Sequence, residues 1–132
     1  MKQMNILMIF ILFFFTTVKC WSEEVNLYSA RKEHLIKPLM VLFEKETGIK
    51  VNIVTAKASQ LHQRILREGK KSPADVMLTS DAGNLWKASK EQFFQPINSE
   101  ILNTRIQSKY KDINNLWFGL SLRARIIVYS LD

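Results

Sequence analysis

Two arginines stand two residues apart in "SLRARIIVYS". On an extended chain Arg123 and Arg125 project to the same face, which Ile127 and Tyr129 continue. Paired guanidiniums at the head of so apolar a strand need carboxylates or a bound anion to offset the cost of removing them from water. Both readings stay open: salt bridges to neighbouring Asp or Glu, or an anion site. Asp81 in "TSDAG" sits where a strand hands over to a helix, and free N–H groups and the helix dipole at such a point favour an anion. The alternative is that Asp81 simply caps that helix. Arg31, Lys32 and Glu33 in "SARKEH" follow another strand, and as isolated charges Arg31 and Glu33 would be solvated surface. His34 and His62 are the chain's two histidines. There is no G-x-S-x-G, P-loop, H-E-x-x-H or G-x-G-x-x-G. No catalytic constellation stands out, and what remains is a binding surface.

The elements that must position these residues alternate. "VNLYS" (25–29), "KVNIVT" (50–55) and "ADVMLTS" (74–80) read as strands, the third short and buried. Between them, "RKEHLIKPLMVLFEKETG" carries Leu35, Ile36, Leu39, Leu42 and Phe43 at helical spacing and closes on Gly48. Proline is tolerated in a first turn and damaging further in, so Pro38 predicts a start near Ile36 or Lys37 and leaves 30–35 as loop. "SQLHQRILREG" reads as a second helix with Ser59 as N-cap, Leu61, Ile65 and Leu66 as its core stripe, and Gly69 at its end. "DAGNLWKASKEQ" begins a third at Ser80 or Asp81. "FFQPINSEIL" packs an apolar pair and turns at Pro96, and "LWFGLS" and "ARIIVYS" read as extended. The order β-α-β-α-β-α predicts an α/β fold, a parallel sheet with helices on both faces. Ligands of such sheets sit beyond the carboxyl ends of the strands, here at "SARKEH", "TAKAS" and "TSDAG".

The first twenty residues read as a leader. Lys2 gives a positive start, and Met4 to Val18 is an uncharged apolar run, shorter than the about 20 residues a membrane span needs. Val18-Lys19-Cys20 places cleavage after Cys20; lipidation of Cys20 and an uncleaved anchor are the competing readings. Cys20 is the chain's single cysteine, so the exported part would have no disulfide and no cysteine metal site. Of 132 residues, 47% are hydrophobic, enough for one domain with a core. Removing the leader with Lys2 and Lys19 lowers the net charge from +7 to +5. The basic residues are scattered, unlike the clustered face of a nucleic-acid binder, so no nucleic-acid partner is expected.

"VNLYSARKE", "FEKETGIKVN", "SPADVMLTSDAGNLWKA" and "WFGLSLRARIIVYSLD" resemble the periplasmic ferric-iron-binding proteins of ABC transporters, from about Val25 to the last residue. The resemblance implies the first lobe of a two-lobed periplasmic-binding-protein (Venus-flytrap) fold, ending on the strand that crosses between lobes. It divides the chain into a signal peptide (1–20), a first α/β lobe (21–122) and a crossing strand (123–132). It implies a non-enzymatic, periplasmic substrate-binding component of a ferric iron uptake system, with an ABC permease as partner. Fe(III) is a hard cation suited to phenolate and carboxylate oxygens. In many members of the family a bicarbonate-type anion completes the coordination, and Arg123 and Arg125 fall on the family's arginine motif, with Arg31 as a further anion contact.

Two departures modify that expectation. Many relatives carry His-Tyr where this chain has Lys32 and Glu33, so Glu33 is the remaining first-lobe metal candidate, with Lys32 and Asp81 lining the cleft. The family's adjacent tyrosine ligands lie in the second lobe, and none of Tyr28, Tyr110 and Tyr129 falls on that motif. The chain reads as a truncated or split binder, and in the split case a separately encoded second lobe is its partner. A binder of another anion or metal complex, and a non-binding remnant or interaction module, are the alternatives.

Overall fold

A parallel β-α-β-α-β succession fixes most of this chain's geometry. The computed structural model describes residues 23–123. Strand β1 (Glu24–Ser29) leads to helix α1 (Glu33–Thr47), β2 (Lys50–Thr55), α2 (Ala58–Glu68), β3 (Val76–Leu78), α3 (Ala82–Lys90) and the short α4 (Glu100–Arg105). The sheet order is β2-β1-β3, all parallel. The step from β1 to β2 and the step back past β1 to β3 run in opposite directions, so right-handed crossovers place α1 and α2 on opposite faces. β1 is therefore covered on both sides: Leu27, Tyr28 and Ser29 are 4%, 1% and 0% exposed. This is the near-continuous burial expected of a central parallel strand.

Register is held by pairs such as Val25 with Val51 and Leu27 with Ile53. Side chains add to the ladder. Asp75 Oδ2 accepts the Asn26 backbone N–H at 2.8 Å, while the Asp75 N–H donates to the Asn26 carbonyl at 3.0 Å. This exchange explains the "PAD" of the sequence: it fastens the entrance of β3 to the central strand. Tyr28 donates its hydroxyl to Glu68 at 3.0 and 3.2 Å, and Arg64 lies 4.8 Å above its ring. Glu68 also accepts from Arg64 Nε and Ser72 Oγ, each at 2.6 Å. The end of α2 is thus locked to the sheet and to the turn that precedes β3.

Several expectations are corrected. α1 begins at Glu33, and Pro38 lies inside it. The missing N–H of Pro38 forfeits one backbone bond, but the turn before it is retained because Ile36 is buried and the Leu35 N–H reaches the Lys32 carbonyl at 3.0 Å. Ser59 lies within α2, whose N-cap is Lys57; there the Gln60 side chain accepts the Lys57 N–H at 3.1 Å. β3 is not fully buried, since it is an edge strand among the described residues and Val76 is 48% exposed. Of the apolar residues expected to line α1's core face, Ile36 is buried, whereas Leu35, Leu39, Leu42 and Phe43 are exposed; Leu66 of α2 is exposed as well. Leu35, Leu39 and Leu42 fall beside the line marked by Ile36, as Leu66 falls beside that of Leu61, whereas Phe43 is on the Ile36 line two turns on and is 36% exposed. Helix α4 adds an element the sequence reading omitted, capped by Ser99 Oγ accepting the Leu102 N–H at 3.3 Å.

Other expectations hold. Gly48 ends α1 at φ 73°, donating to the Glu44 carbonyl, and Gly69 ends α2 at φ 54°. Phe93 packs on the His62 ring at 4.8 Å between centroids. By contrast, "LWFGLS" forms no strand among the described residues; its Phe118 makes one isolated antiparallel bridge with Lys111. The leader, Arg125, Ile127 and Tyr129 lie outside the described residues.

Candidate anion-binding edge of the sheet

Because the three strands are parallel, their carboxyl ends share one edge. Two backbone bonds tie that edge together: Ala30 N–H to the Leu78 carbonyl at 2.8 Å, and Ala56 N–H to the Ser29 carbonyl at 3.3 Å. The loops after β1, β2 and β3 therefore start side by side, and α1, α2 and α3 all begin there with their positive dipole ends.

Each loop is built for a definite direction. Ser29 is wholly buried, and its Oγ accepts the Arg31 N–H at 3.1 Å, folding the chain so that Arg31 emerges half-buried at the edge. Lys32 is exposed at the N-cap of α1 with no side-chain cap bond. Glu33 occupies the first turn of α1, 3.5 Å from Lys37 Nζ, with both side chains more than half exposed. Such an exposed pair is worth about 0.3–0.5 kcal/mol and does not hold the carboxylate in place. After β3, Thr79 Oγ1 donates to the Asp81 carbonyl at 2.8 Å, and Asp81 caps α3: Oδ1 accepts the Asn84 N–H at 3.0 Å and Oδ2 its side-chain amide at 2.8 Å. Both Asp81 oxygens are engaged, so the capping reading accounts for this residue.

The structure thus brings Arg31, Lys32, Glu33 and Asp81 to one edge. Arg123 is exposed, lies outside any strand, and makes no ion pair among the described residues. Sequence reasoning overlooked Lys57, the N-cap of α2, although it stands in the quoted loop "TAKAS". The edge is cationic, with Arg31, Lys32 and Lys57 against one engaged and one loosely paired carboxylate. Among the described residues no group of three His, Cys, Asp or Glu could hold a metal ion. By itself this edge can grip an anion or one oxygen-coordinated face of a metal complex.

The described tyrosine of β1 does not serve that edge. Tyr28 is buried in β1 and directs its hydroxyl to Glu68, at the end of α2 that leads into β3. Burial pushes its phenol above the usual value, and its hydrogen bond to Glu68 pushes the same way. Glu68 is held below the usual carboxylate range, chiefly by its bond from Arg64 and then by that from Ser72. Tyr28 is therefore a poor phenolate donor for a metal.

A family model for the bacterial extracellular solute-binding proteins matches residues 22–131. Iron uptake protein A1 of Synechocystis sp. is 45% identical over 108 residues, covering 82% of this chain and 30% of that protein. The Fe(3+)-binding periplasmic protein of Serratia marcescens is 31% identical over 108 residues, covering 82% and 32%. Among solved structures, a Trichodesmium protein in complex with iron and citrate ligands superposes with a TM-score of 0.70 at 44% identity, covering 73% of this chain and 30% of that one. The ferric iron-binding protein A of Mannheimia haemolytica, in an open conformation, gives 0.71 at 44% identity, covering 74% and 31%. The chain spans about 30% of the length of these curated relatives.

Proposed function

The chain belongs to the bacterial extracellular solute-binding protein family, and on that footing we propose that it is a substrate-binding component of a ferric iron uptake system of the ABC type. Residues 21–122 would be the first α/β lobe, preceded by a signal peptide (1–20) and followed by a crossing strand (123–132). The cargo is Fe(III) with a bicarbonate-type anion. Arg31, Arg123 and Arg125 hold the anion through charge-assisted hydrogen bonds. Glu33 offers a carboxylate oxygen, with Lys32 and Asp81 lining the cleft. Phenolate donors would come from a second lobe, separately encoded or continuous with this chain, and an ABC permease would receive the cargo on the periplasmic side of the membrane.

The observation that carries this reading is the likeness to the Trichodesmium protein solved with iron and citrate. A second reading rests on the cationic edge itself: Lys32 and Lys57 beside Arg31 suit an anionic ferric chelate, already oxygen-coordinated, better than a bare ion. Equilibrium dialysis with radioactive iron separates the two. Supplied as ferric salt plus bicarbonate or as ferric citrate, iron should be retained weakly and well below one per chain in both cases if the family reading holds, with Arg31→Ala lowering retention further. Retention from ferric citrate alone favours the chelate. Retention from neither rejects an iron-binding function.

A further inference from the structure

Ser29 is the last residue at which the three strands run in register, opposite Thr55 on one side and Leu78 on the other. It is wholly buried, and a hydroxyl in such a place needs partners. Its Oγ accepts the Arg31 N–H at 3.1 Å and donates to the Arg31 carbonyl at 3.3 Å. Both backbone groups of Arg31 are thus held by one side chain two residues earlier, a turn that short hydroxyl residues make locally. The carbonyl of the same serine accepts the Ala56 N–H at 3.3 Å, which fixes the start of the loop that carries Lys57.

Arg31, held in this way, is half-buried and makes no ion pair among the described residues. Partly burying a charge without a partner costs free energy. The turn that keeps it there lies beyond the last strand pair, so the ladder does not require it. We propose, resting on the anion-binding reading of this edge, that Ser29 is its positioning residue: the hydroxyl closes on both backbone groups of Arg31 and fixes where the guanidinium is presented. The gain is preorganisation. Arginine has a long rotatable side chain, and fixing its main chain before the anion arrives removes part of the ordering cost of binding. Being buried, Ser29 acts only through Arg31 and touches no ligand itself.

Dialysis of the chain against a concentration series of ferric citrate, with backbone hydrogen exchange on the same samples, tests this. Ser29→Ala should weaken retention about fivefold, the order expected of one lost hydrogen bond, with an unchanged far-ultraviolet spectrum. In an Arg31→Ala background the same change should cost less than about twofold, because the hydroxyl has nothing left to position. In a Lys57→Ala background it should cost the full fivefold or so, because the Ser29 carbonyl that sets that loop is intact. The Arg31 amide should exchange slowly in the wild type and about tenfold faster in Ser29→Ala, while the amides of β1 keep their protection. Equal losses in the two backgrounds would make Ser29 merely structural and overturn the proposal. A fast-exchanging Arg31 amide in the wild type overturns it too, and decides the matter even if Ser29→Ala fails to fold. Unchanged retention in Ser29→Ala beside a loss in Arg31→Ala removes the role of Ser29 and leaves the anion edge standing, whereas no retention by the wild type rejects both.

Discussion

Tyr28→Phe removes one hydroxyl from the centre of the sheet and probes both what holds α2 in place and what Tyr28 is for. In the wild type that hydroxyl donates to Glu68 at 3.0 and 3.2 Å. A hydrogen bond to a charged acceptor contributes about 1.5–3 kcal/mol. Glu68 keeps its bonds from Arg64 and Ser72, so no unpaired carboxylate is left behind and the lower end of that range applies. Phe fills the same space and keeps the Arg64 contact over the ring. The expected loss is about 1.5 kcal/mol, a fall in melting temperature of roughly 6–12 °C for a domain of this size. Urea unfolding should show a lower midpoint at an unchanged slope. Iron retention should be unaffected, because the Tyr28 hydroxyl is buried and directed to Glu68 at the end of α2 rather than into the loops of the anion edge. A variant as stable as wild type would refute the role given to the Tyr28–Glu68 bond. A stable variant that lost iron would refute the assignment of Tyr28 to the core.

Gly119→Ala should destabilise by about 1–3 kcal/mol, as overpacked sites do, because a Cβ there would meet the Tyr110 carbonyl oxygen at 2.9 Å; thermal unfolding measures it. Asp81→Ala should cost about 1 kcal/mol through loss of the α3 cap and leave anion affinity unchanged in calorimetry, which separates the cap from a role in the cleft. Stability should also depend on pH at both extremes. Glu24 and Glu68 have depressed folded values relative to the ordinary 4.5, so their contribution is present above pH 4.5 and is lost as pH falls through those lower values. Tyr28 is raised relative to 10.0, so its contribution is present below pH 10 and is lost as pH rises beyond it. Urea midpoints across the pH range should fall on both sides, with the alkaline fall removed in Tyr28→Phe.

The alternation of strands and helices was legible because each element carries its own period and its own stop: Gly48 and Gly69 close two helices in the conformation glycine favours. Parallel pairing followed from connections too long for hairpins and rich in helical pattern. What escaped was interaction between distant residues. Nothing local marks Glu68 as the partner of Tyr28, forty positions earlier, or Asp75 as the clamp on Asn26. Pro38 misled because a local cost was weighed without the burial of Ile36 that offsets it. The leucines of α1 were assigned inward because helical spacing defines a stripe without saying what covers it. Helix α4 had a readable signal in Ser99 followed by Glu100, outweighed by Pro96 just before. At the candidate site, Arg31, Lys32 and Glu33 were legible as loop residues at a strand's carboxyl end, while Lys57 required knowing where α2 begins.

The central claim is that this chain supplies the anion-gripping half of an iron site and not its phenolate donors. The most direct measurement is titration of the chain with ferric citrate plus bicarbonate, following heat and the visible tyrosinate-to-iron charge-transfer band together. Free tyrosine ionises near pH 10, so a phenolate ligand forms only by metal-driven proton loss, and the described Tyr28 is raised above that. The account predicts weak heat that diminishes with Arg31→Ala, and no band. Near-stoichiometric binding with a clear band would contradict it.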